Sequence, residues 1–249
     1  MAGHSKWKQI KRKKAVTDSR RASAWTKLIR EITVSAKAGG GDPGGNARLR
    51  LAIDVARAAN MPNENIERAV KKGTGELEGA SYEEVTYEGY GPGGTAIYIE
   101  GSTDNANRTV AEIRHAFSRN HGNLGATNSV AWMFDRKGMI ILDATGKDED
   151  RSLEDALEAG AEDFSRDGDQ FVVTATPTTI HAVQDGLRAK GYRIESTEIA
   201  MVPKNTVKVE GADADKVLQL IDALEELDDV SKVFSNFDID ASQLAEAEA

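Results

Sequence analysis

The residues with the clearest potential chemistry stand near the N-terminus, where one aromatic ring lies among six cations. The run is Lys6-Trp7-Lys8-Gln9-Ile10-Lys11-Arg12-Lys13-Lys14, and residues 6–14 are called the basic arm below. Lys and Arg contact the phosphates of nucleic acids, and an exposed Trp can stack on an unpaired base for about 1–3 kcal/mol. In the alternative interpretation, Trp7 and Ile10 pack on neighbouring helices and the cations are only solvated. The pattern favours nucleic-acid contact for the arm as a whole.

Charge is divided very unevenly along the chain. Residues 1–37 hold eleven Lys and Arg against only Asp18 and Glu31, a net charge of +9, whereas the whole chain carries −9. Residues 38–249 therefore carry −18. Because this acidic remainder repels a polyanion, we expect nucleic acid to bind at one end of the protein. The predicted nucleic-acid-binding residues are Lys6, Trp7, Lys8, Lys11, Arg12, Lys13, Lys14, Arg20, Arg21, Lys27 and Arg30.

A glycine motif near residue 90 formally matches a dinucleotide fingerprint. Gly89, Gly91 and Gly94 satisfy the spacing G-x-G-x-x-G, but that fingerprint requires a helix directly after the last glycine. The following residues, Thr95–Ile99, have the composition of a strand. The sequence therefore predicts a hairpin turn over Tyr90–Gly94.

No other segment has the spacing of a metal, cofactor or catalytic site. The chain has no cysteine, which excludes disulfides, thiolate zinc sites and cysteine nucleophiles. Gly146-Lys147 lacks the earlier glycine and the following hydroxyl of a phosphate-binding loop. His115 and His121 stand six residues apart, without the i, i+4 spacing of a helical metal pair. We therefore predict no metal, no cofactor and no catalytic residue.

An enzyme remains the competing class, and its most plausible polar segment is Asp104–Arg108. That segment is better explained as the start of a helix, with Asp104 as the N-cap. We therefore predict a non-enzymatic protein. A pure protein-interaction module is a further alternative, which a dispensable basic arm would favour.

Helices are predicted throughout the N-terminal part of the chain. Apolar residues recur at spacings of three and four, and Trp25 lies on the apolar face of the first helix. That helix ends at Gly39-Gly40-Gly41, and a second starts near Asp42-Pro43. Asn60-Met61-Pro62 breaks the second helix, and Pro62 suits the first turn of a third. The first ~75 residues thus form a helical domain.

Beyond residue 79, short alternating strands are separated by amphipathic helices. Predicted strands include Ser129–Phe134 and Gly138–Asp143. This alternation favours small sandwiches in which helices cover one face of an antiparallel sheet, and the length from 79 to 240 allows two of them. The predicted fold class is α+β.

Several short motifs together resemble the YebC/PmpR family along nearly the whole chain. They are Met1-Ala2-Gly3-His4-Ser5-Lys6-Trp7, Asn46-Ala47-Arg48-Leu49, Ala58-Ala59-Asn60-Met61-Pro62, Asn65–Ala69, Tyr87–Gly94, Thr103–Thr109, Gly122–Gly125 and Ser129–Phe134. His4 and Ser5 are site candidates through this resemblance alone.

The resemblance implies three domains, namely a helical N-terminal domain and two ferredoxin-like α/β sandwiches, one inserted in the other. The expected boundaries are 1–78 for the basic helical domain, 79–135 with 204–240 for the discontinuous sandwich and 136–203 for the inserted sandwich. Residues 241–249 are expected to form an acidic, flexible tail.

The family name implies a DNA-binding transcriptional regulator. Relatives that include a mitochondrial translational activator imply instead a translation factor on the ribosome, one that helps at proline-rich stalls. The residues slightly favour RNA, because no helix-turn-helix with a clear recognition helix is visible and the acidic remainder discourages wrapping of a long duplex. DNA and ribosomal RNA therefore both stay open as partners.

Composition also constrains the compartment and the assembly. No apolar run approaches the ~20 residues that cross a bilayer, and the N-terminus lacks the apolar segment of a secretory signal. A mitochondrial transit peptide is the alternative for this basic N-terminus, but the basic region runs on into a predicted helix. We predict a cytoplasmic protein with no membrane partner. Nothing indicates a two-fold dimer, so a monomer is favoured.

Overall fold

A computed structural model describes residues 18–79 and 81–239, with side chains from residue 24 onward. The described helices are α1 (Asp18–Gly39), α2 (Ala47–Ala58), α3 (Asn63–Gly73), α4 (Ala106–Arg119), α5 (Glu149–Glu158), α6 (Ile180–Ala189) and α7 (Ala212–Glu225). The described strands are β1 (Glu83–Tyr90), β2 (Ala96–Thr103), β3 (Asn123–Leu124), β4 (Phe134–Asp143), β5 (Asp163–Asp167), β6 (Gln170–Ala175), β7 (Ile194–Pro203), β8 (Val207–Lys208), β9 (Val230–Ser235) and β10 (Phe237–Asp238). None of these helices is long and apolar enough to cross a membrane.

The described residues divide into two compact units. The first comprises 18–79, 81–131 and 212–235, and the second comprises 132–211 and 236–239. The main stretch of the second unit runs from Trp132 to Gly211, whereas the family resemblance implies an inserted sandwich at 136–203. The helical segment belongs to the same compact unit as the first sheet. The division into three domains stays a prediction.

Helices α1, α2 and α3 pack around a shared apolar core. The core consists of Ile32, Ala36, Leu49, Ala52, Ile53, Ala56, Met61, Ile66 and Ala69. As predicted, α1 ends at the glycine run, where Gly40 has φ +85° and its N–H donates to the Ala36 carbonyl at 2.9 Å.

Helix α2 starts later than the sequence suggested, because Asn46 rather than Asp42 provides its N-cap. The Asn46 side chain accepts the Leu49 N–H at 3.0 Å and donates to the carbonyls of Ser35 and Gly40. Asp42 is instead used in a tight turn. The cap therefore also joins the start of α2 to the end of α1.

The first unit contains an antiparallel sheet with strand order β3-β1-β2-β9. Its core includes Ile97 and Ile99 of β2, Ile113 and Phe117 of α4 and Leu220 of α7. Both helices thus contribute to one core with the sheet, as predicted for a sandwich of helices on an antiparallel sheet.

The glycine motif forms the predicted hairpin turn between β1 and β2. The Gly91 N–H donates to the Thr95 carbonyl at 2.8 Å, and Gly93 and Gly94 have φ of +67° and +74°. The residues after the turn form β2. Because a strand rather than a helix follows the last glycine, the motif lacks the geometry of the dinucleotide fingerprint.

The predicted strand Ser129–Phe134 is wrong, because its first half is a turn organised by a buried carboxylate. Glu88 of β1 accepts the N–H groups of Asn128, Val130 and Ala131, each at 2.7 Å. These N–H groups are therefore unavailable for strand pairing. A short 3₁₀ helix follows at 131–133, and β4 begins only at Phe134.

The second unit contains an antiparallel sheet with strand order β5-β6-β4-β7. The element order β4-α5-β5-β6-α6-β7 with this strand order is the ferredoxin-like arrangement. Ile140 and Leu142 of β4 and Phe171 of β6 pack with Val183 and Leu187 of α6. In the same unit, β8 and β10 pair in parallel. The predicted α+β fold class with ferredoxin-like sandwiches is confirmed.

Candidate nucleic-acid interface

Most of the predicted binding residues precede the described part of the chain, namely Lys6, Trp7, Lys8, Lys11, Arg12, Lys13 and Lys14. His4 and Ser5, the site candidates from the family resemblance, also precede it. Arg20 and Arg21 lie in the first turn of α1, within its described backbone. The basic arm is thus followed within four residues by the long helix α1. The contacts of α1 with the rest of the first unit are described below.

Helix α1 is held in the first unit by its apolar face. Ile32 and Ala36 are buried in the helical core, and Trp25 packs against that core. The Trp25 Nε1–H donates to the carbonyl of Ala59 at 3.2 Å. As predicted, Trp25 is therefore a packing residue of the helical segment, with its polar edge satisfied.

Lys27 and Arg30 of α1 donate hydrogen bonds to the end of α7 and to the segment between α7 and β9 of the first unit. Lys27 Nζ donates to the carbonyl of Glu225 at 2.5 Å, where the C-terminal end of α7 carries negative partial charge. Arg30 Nη1 donates to the carbonyl of Asp228 at 2.6 Å and to Asp229 Oδ1 at 2.7 Å. The Arg30 side chain is only 13% exposed, so its role is to stabilise the fold through these hydrogen bonds. We therefore leave Arg30 out of the proposed interface.

Asp229 is the centre of a buried polar cluster that the sequence reasoning missed. Its side chain is 1% exposed, and Oδ2 accepts from Arg108 Nη2 at 2.7 Å, Thr109 Oγ1 at 2.7 Å and Thr103 Oγ1 at 3.0 Å. With Arg30 on Oδ1, the carboxylate joins α1, β2 and α4 at the start of β9. Its partners satisfy both oxygens, as a buried charge requires.

The neighbours of Asp229 in this cluster shift the pKa values of Asp229 and Arg108. Burial raises the pKa of Asp229, but the hydrogen bonds from Arg108, Thr109 and Thr103 and the attraction of Arg30 outweigh burial and leave it below its ordinary value. The hydrogen bond to Asp229 in turn raises the pKa of Arg108. Asp229 and Arg108 are therefore both ionised at neutral pH.

The helical segment has other cations, and these differ in how far they are engaged. Arg48 of α2 pairs with Glu31 at 2.9 Å and with Glu84 at 2.7 Å. The exposed cations of α2 and α3 include Arg57, Lys71 and Lys72. Lys71 and Lys72 lie in the last turn of α3, where they also complement the helix dipole. These three side chains add exposed positive charge to the helical segment.

The exposed face of α3 does not suit a recognition helix. Helices α2 and α3 are joined by a short turn, as in a helix-turn-helix, and in that motif the N-terminal residues of the second helix contact DNA bases. In α3 the exposed residues of that half include Glu64 and Glu67. Because carboxylates at these positions repel phosphates, α3 is poorly suited to bind in the major groove of duplex DNA.

The polar segment considered for an enzyme belongs to the start of α4. The sequence suggested Asp104 as the N-cap of α4, and this prediction is wrong. The N-cap is Asn105, whose Oδ1 accepts the Arg108 N–H at 3.2 Å. Asp104 instead pairs with the Arg108 guanidinium at 2.9 Å. Within residues 18–79 and 81–239, no group of three or more His, Asp or Glu is placed to hold a metal ion.

Two family descriptions match almost the whole chain. Residues 5–76 match the TACO1/YebC protein N-terminal domain, and residues 82–237 match the TACO1/YebC second and third domain. The matched ranges meet between α3 and β1, where the helical segment ends.

Relatives and one solved structure agree over the same length. A protein of Gemmatimonas aurantiaca named "Probable transcriptional regulatory protein" is 59% identical, with 99% of this chain and 100% of the relative covered. A protein of Acidithiobacillus ferrooxidans with the same name is 56% identical, with 100% and 99% covered. The crystal structure of a conserved hypothetical protein from Aquifex aeolicus is 48% identical and has a TM-score of 0.85, with 94% of this chain and 97% of that chain covered.

Proposed function

Because the chain belongs to the TACO1/YebC family, we propose that it is a non-enzymatic regulator of gene expression that binds nucleic acid through the basic arm and the first turn of α1. The names of its relatives, probable transcriptional regulatory proteins, support a regulatory role in transcription. We propose DNA as the ligand in that role. The single observation that carries the binding proposal is the +9 charge of residues 1–37 in a chain whose remainder carries −18.

The anchoring of α1 supports this assignment of roles along the helix. Trp25, Lys27 and Arg30 are engaged in packing and hydrogen bonding within the first unit. The cations before them, Arg20 and Arg21, continue the charge of the basic arm. We therefore divide α1 into an N-terminal turn that binds phosphates and a following part that holds the helix in place.

A second candidate function is a ribosome-associated translation factor that contacts ribosomal RNA and helps at proline-rich stalls. The observation that favours it is the acidic N-terminal half of α3, where Glu64 and Glu67 are exposed. A basic end on an otherwise acidic protein suits insertion into a large RNA assembly better than lengthwise contact with duplex DNA.

The proposal predicts steep salt dependence for binding by the full-length protein. If five to eight cations contact phosphates, the logarithm of the association constant for duplex DNA falls with the logarithm of salt concentration at a slope of about −5 to −7. Fluorescence anisotropy with a labelled duplex between 50 and 300 mM salt measures this slope. A structured RNA of equal length, titrated in parallel, shows which ligand binds more tightly at 0.15 M salt.

Absence of binding to either ligand at the lowest salt would refute nucleic-acid binding by the isolated protein. A slope near zero would refute the proposed role of the arm cations. Tighter binding of RNA with a comparable slope would favour the translation factor over the DNA-binding regulator.

A further inference from the structure

The C-terminal half of α4 exposes basic side chains that no described residue neutralises. Four exposed residues, called the α4 patch below, lie in this half or directly after it, namely Arg114, His115, Arg119 and His121. In the part of the chain that the structure describes, none of their side chains forms an ion pair or a hydrogen bond. Arg108 at the start of α4, by contrast, pairs with Asp104 and with Asp229. The two arginines of the patch are therefore available to an external anion.

The charge of this region is opposite in sign to that of the sheet and helix with which α4 packs. Residues 81–104 contain five Asp and Glu and no Lys or Arg, and residues 212–235 contain seven Asp and Glu against two Lys. Residues 105–131 contain three Arg and two His against a single carboxylate, Glu112. Because carboxylates are abundant elsewhere in this part of the unit, two unpaired arginines indicate a surface kept clear of acids. A polyanion is the ligand that such a surface attracts.

His121 occupies a backbone position that usually requires glycine. The Gly122 N–H donates to the Phe117 carbonyl at 2.8 Å and closes the end of α4, while His121 has φ +59°. Gly is preferred at this position of a helix end, because a Cβ is strained in the left-handed region. The histidine therefore costs stability, and strain of this kind is concentrated at functional sites. This is a second indication of binding at the end of α4.

Structural roles account for only part of the patch. Arg119 lies in the last turn of α4, where a cation complements the helix dipole. Arg114 precedes the last turn and has no such role. His115 and Arg119 are four residues apart and therefore lie side by side on the helix surface. The patch thus forms one exposed basic surface along the C-terminal half of the helix.

We propose that the α4 patch binds the phosphodiester backbone of the nucleic acid that the basic arm also contacts. The guanidinium groups of Arg114 and Arg119 donate to phosphate oxygens, which match their planar fork of N–H donors, and the His121 ring adds a further donor. Such contacts position a nucleic acid without reading its sequence, so they suit RNA and DNA alike. The inference rests on the proposed function and adds to it a second contact surface in the first unit.

The test measures binding of the full-length double variant Arg114→Ala with Arg119→Ala to a DNA duplex and to an RNA hairpin with the same number of phosphates. Loss of two phosphate contacts should make the salt slope for duplex DNA less negative by about 2 and weaken binding about 10- to 30-fold at 0.15 M salt. Replacing both arginines by Lys keeps the charge and should recover most of the affinity. Because both side chains are exposed and Ala favours helix, circular dichroism should show an unchanged fold.

The matched control is Arg166→Ala with Arg188→Ala, which removes the same charge from the second unit. Both of these arginines are exposed and form ion pairs at the surface. The control should bind within about twofold of wild type, because exposed charges far from the ligand are screened by salt.

His121→Gly separates binding from stability. Glycine relieves the backbone strain, so the midpoint of chemical denaturation should rise. Loss of one hydrogen-bond donor should at the same time weaken binding about two- to tenfold. A variant that is more stable and yet binds more weakly has lost a contact with the ligand and not a contact within the fold. Unchanged binding would exclude His121 from the proposed surface.

If the double Ala variant of α4 bound as tightly as the control, with the same salt slope, the α4 patch would be excluded while binding through the basic arm remained supported. Wild type that bound neither ligand would overturn both proposals. Weakened binding of only one ligand would assign the patch to that nucleic acid, and weakened binding of both would assign it to the backbone that they share.

Discussion

Asp229→Ala is expected to lower the free energy of unfolding by about 3–5 kcal/mol, the usual cost of removing one partner from a buried ion pair. The substitution leaves Arg30, which is 13% exposed, without its carboxylate, and leaves the hydroxyls of Thr103 and Thr109 without their shared acceptor. Arg108 is 42% exposed and adds less, because water can solvate it. Chemical denaturation followed by circular dichroism measures the change.

Asp104→Ala is the matched control for this substitution, because Asp104 pairs with the same Arg108 but lies at the surface. Its loss should cost no more than about 1 kcal/mol. If Asp229→Ala were as mild as Asp104→Ala, the cluster would not be what holds α1 to β2 and α4.

The same cluster sets a pH dependence whose sign follows from Asp229. Because its folded pKa lies below the unfolded value of ~3.9, its stabilisation is complete above that unfolded value. It is lost as pH falls through the folded pKa. Asp229→Ala should therefore remove part of the acid-side loss of stability, and wild type and variant should converge towards low pH. Parallel curves at all pH values would contradict the ionised state of Asp229.

Joint replacement of Lys11, Arg12, Lys13 and Lys14 by Ala is expected to have the largest effect on binding. Four lost phosphate contacts make the salt slope for duplex DNA less negative by about 3–4 and weaken binding about 10²–10³-fold at 0.15 M salt. These positions precede α1, so the unfolding transition should stay unchanged. Fluorescence anisotropy for binding and circular dichroism for folding test both statements.

A charge-matched control separates the arm from the net charge of the protein. Replacing Arg166, Arg188, Lys208 and Lys216 by Ala removes four cations that form ion pairs at the surface elsewhere in the chain. If binding depends on the arm, this variant should keep most of its affinity. Equal losses in the two variants would show that overall charge governs binding.

Local pattern predicted the elements whose determinants are close together in sequence. The end of α1 follows from the glycine run, and the hairpin turn at Tyr90–Gly94 follows from the strands on either side. The packing of Trp25 follows from its spacing on the apolar face of α1. In each case the deciding contacts span few residues or repeat with the helical period.

The failures involve partners that are distant in sequence. The turn before β4 depends on Glu88, whose carboxylate accepts an N–H from 40 residues away, so nothing local distinguishes this segment from a strand. Arg30 has the same local pattern as the other α1 cations, but its partner Asp229 is 199 residues further along. The N-cap of α4 is a local exception, because Asp104 and Asn105 are adjacent and both suit an N-cap. In the structure Asn105 accepts the Arg108 N–H, and Asp104 pairs with the Arg108 guanidinium.

Ultraviolet crosslinking in growing cells, with sequencing of the nucleic acid attached to the protein, tests binding through the basic arm most directly. We expect specific recovery with wild type, crosslinks within residues 1–37, and loss of that recovery in the variant with four arm substitutions. Discrete genomic DNA sites would support the transcriptional regulator, and a few ribosomal RNA sites would support the translation factor. Equal recovery by wild type and the arm variant would contradict nucleic-acid binding through the basic arm.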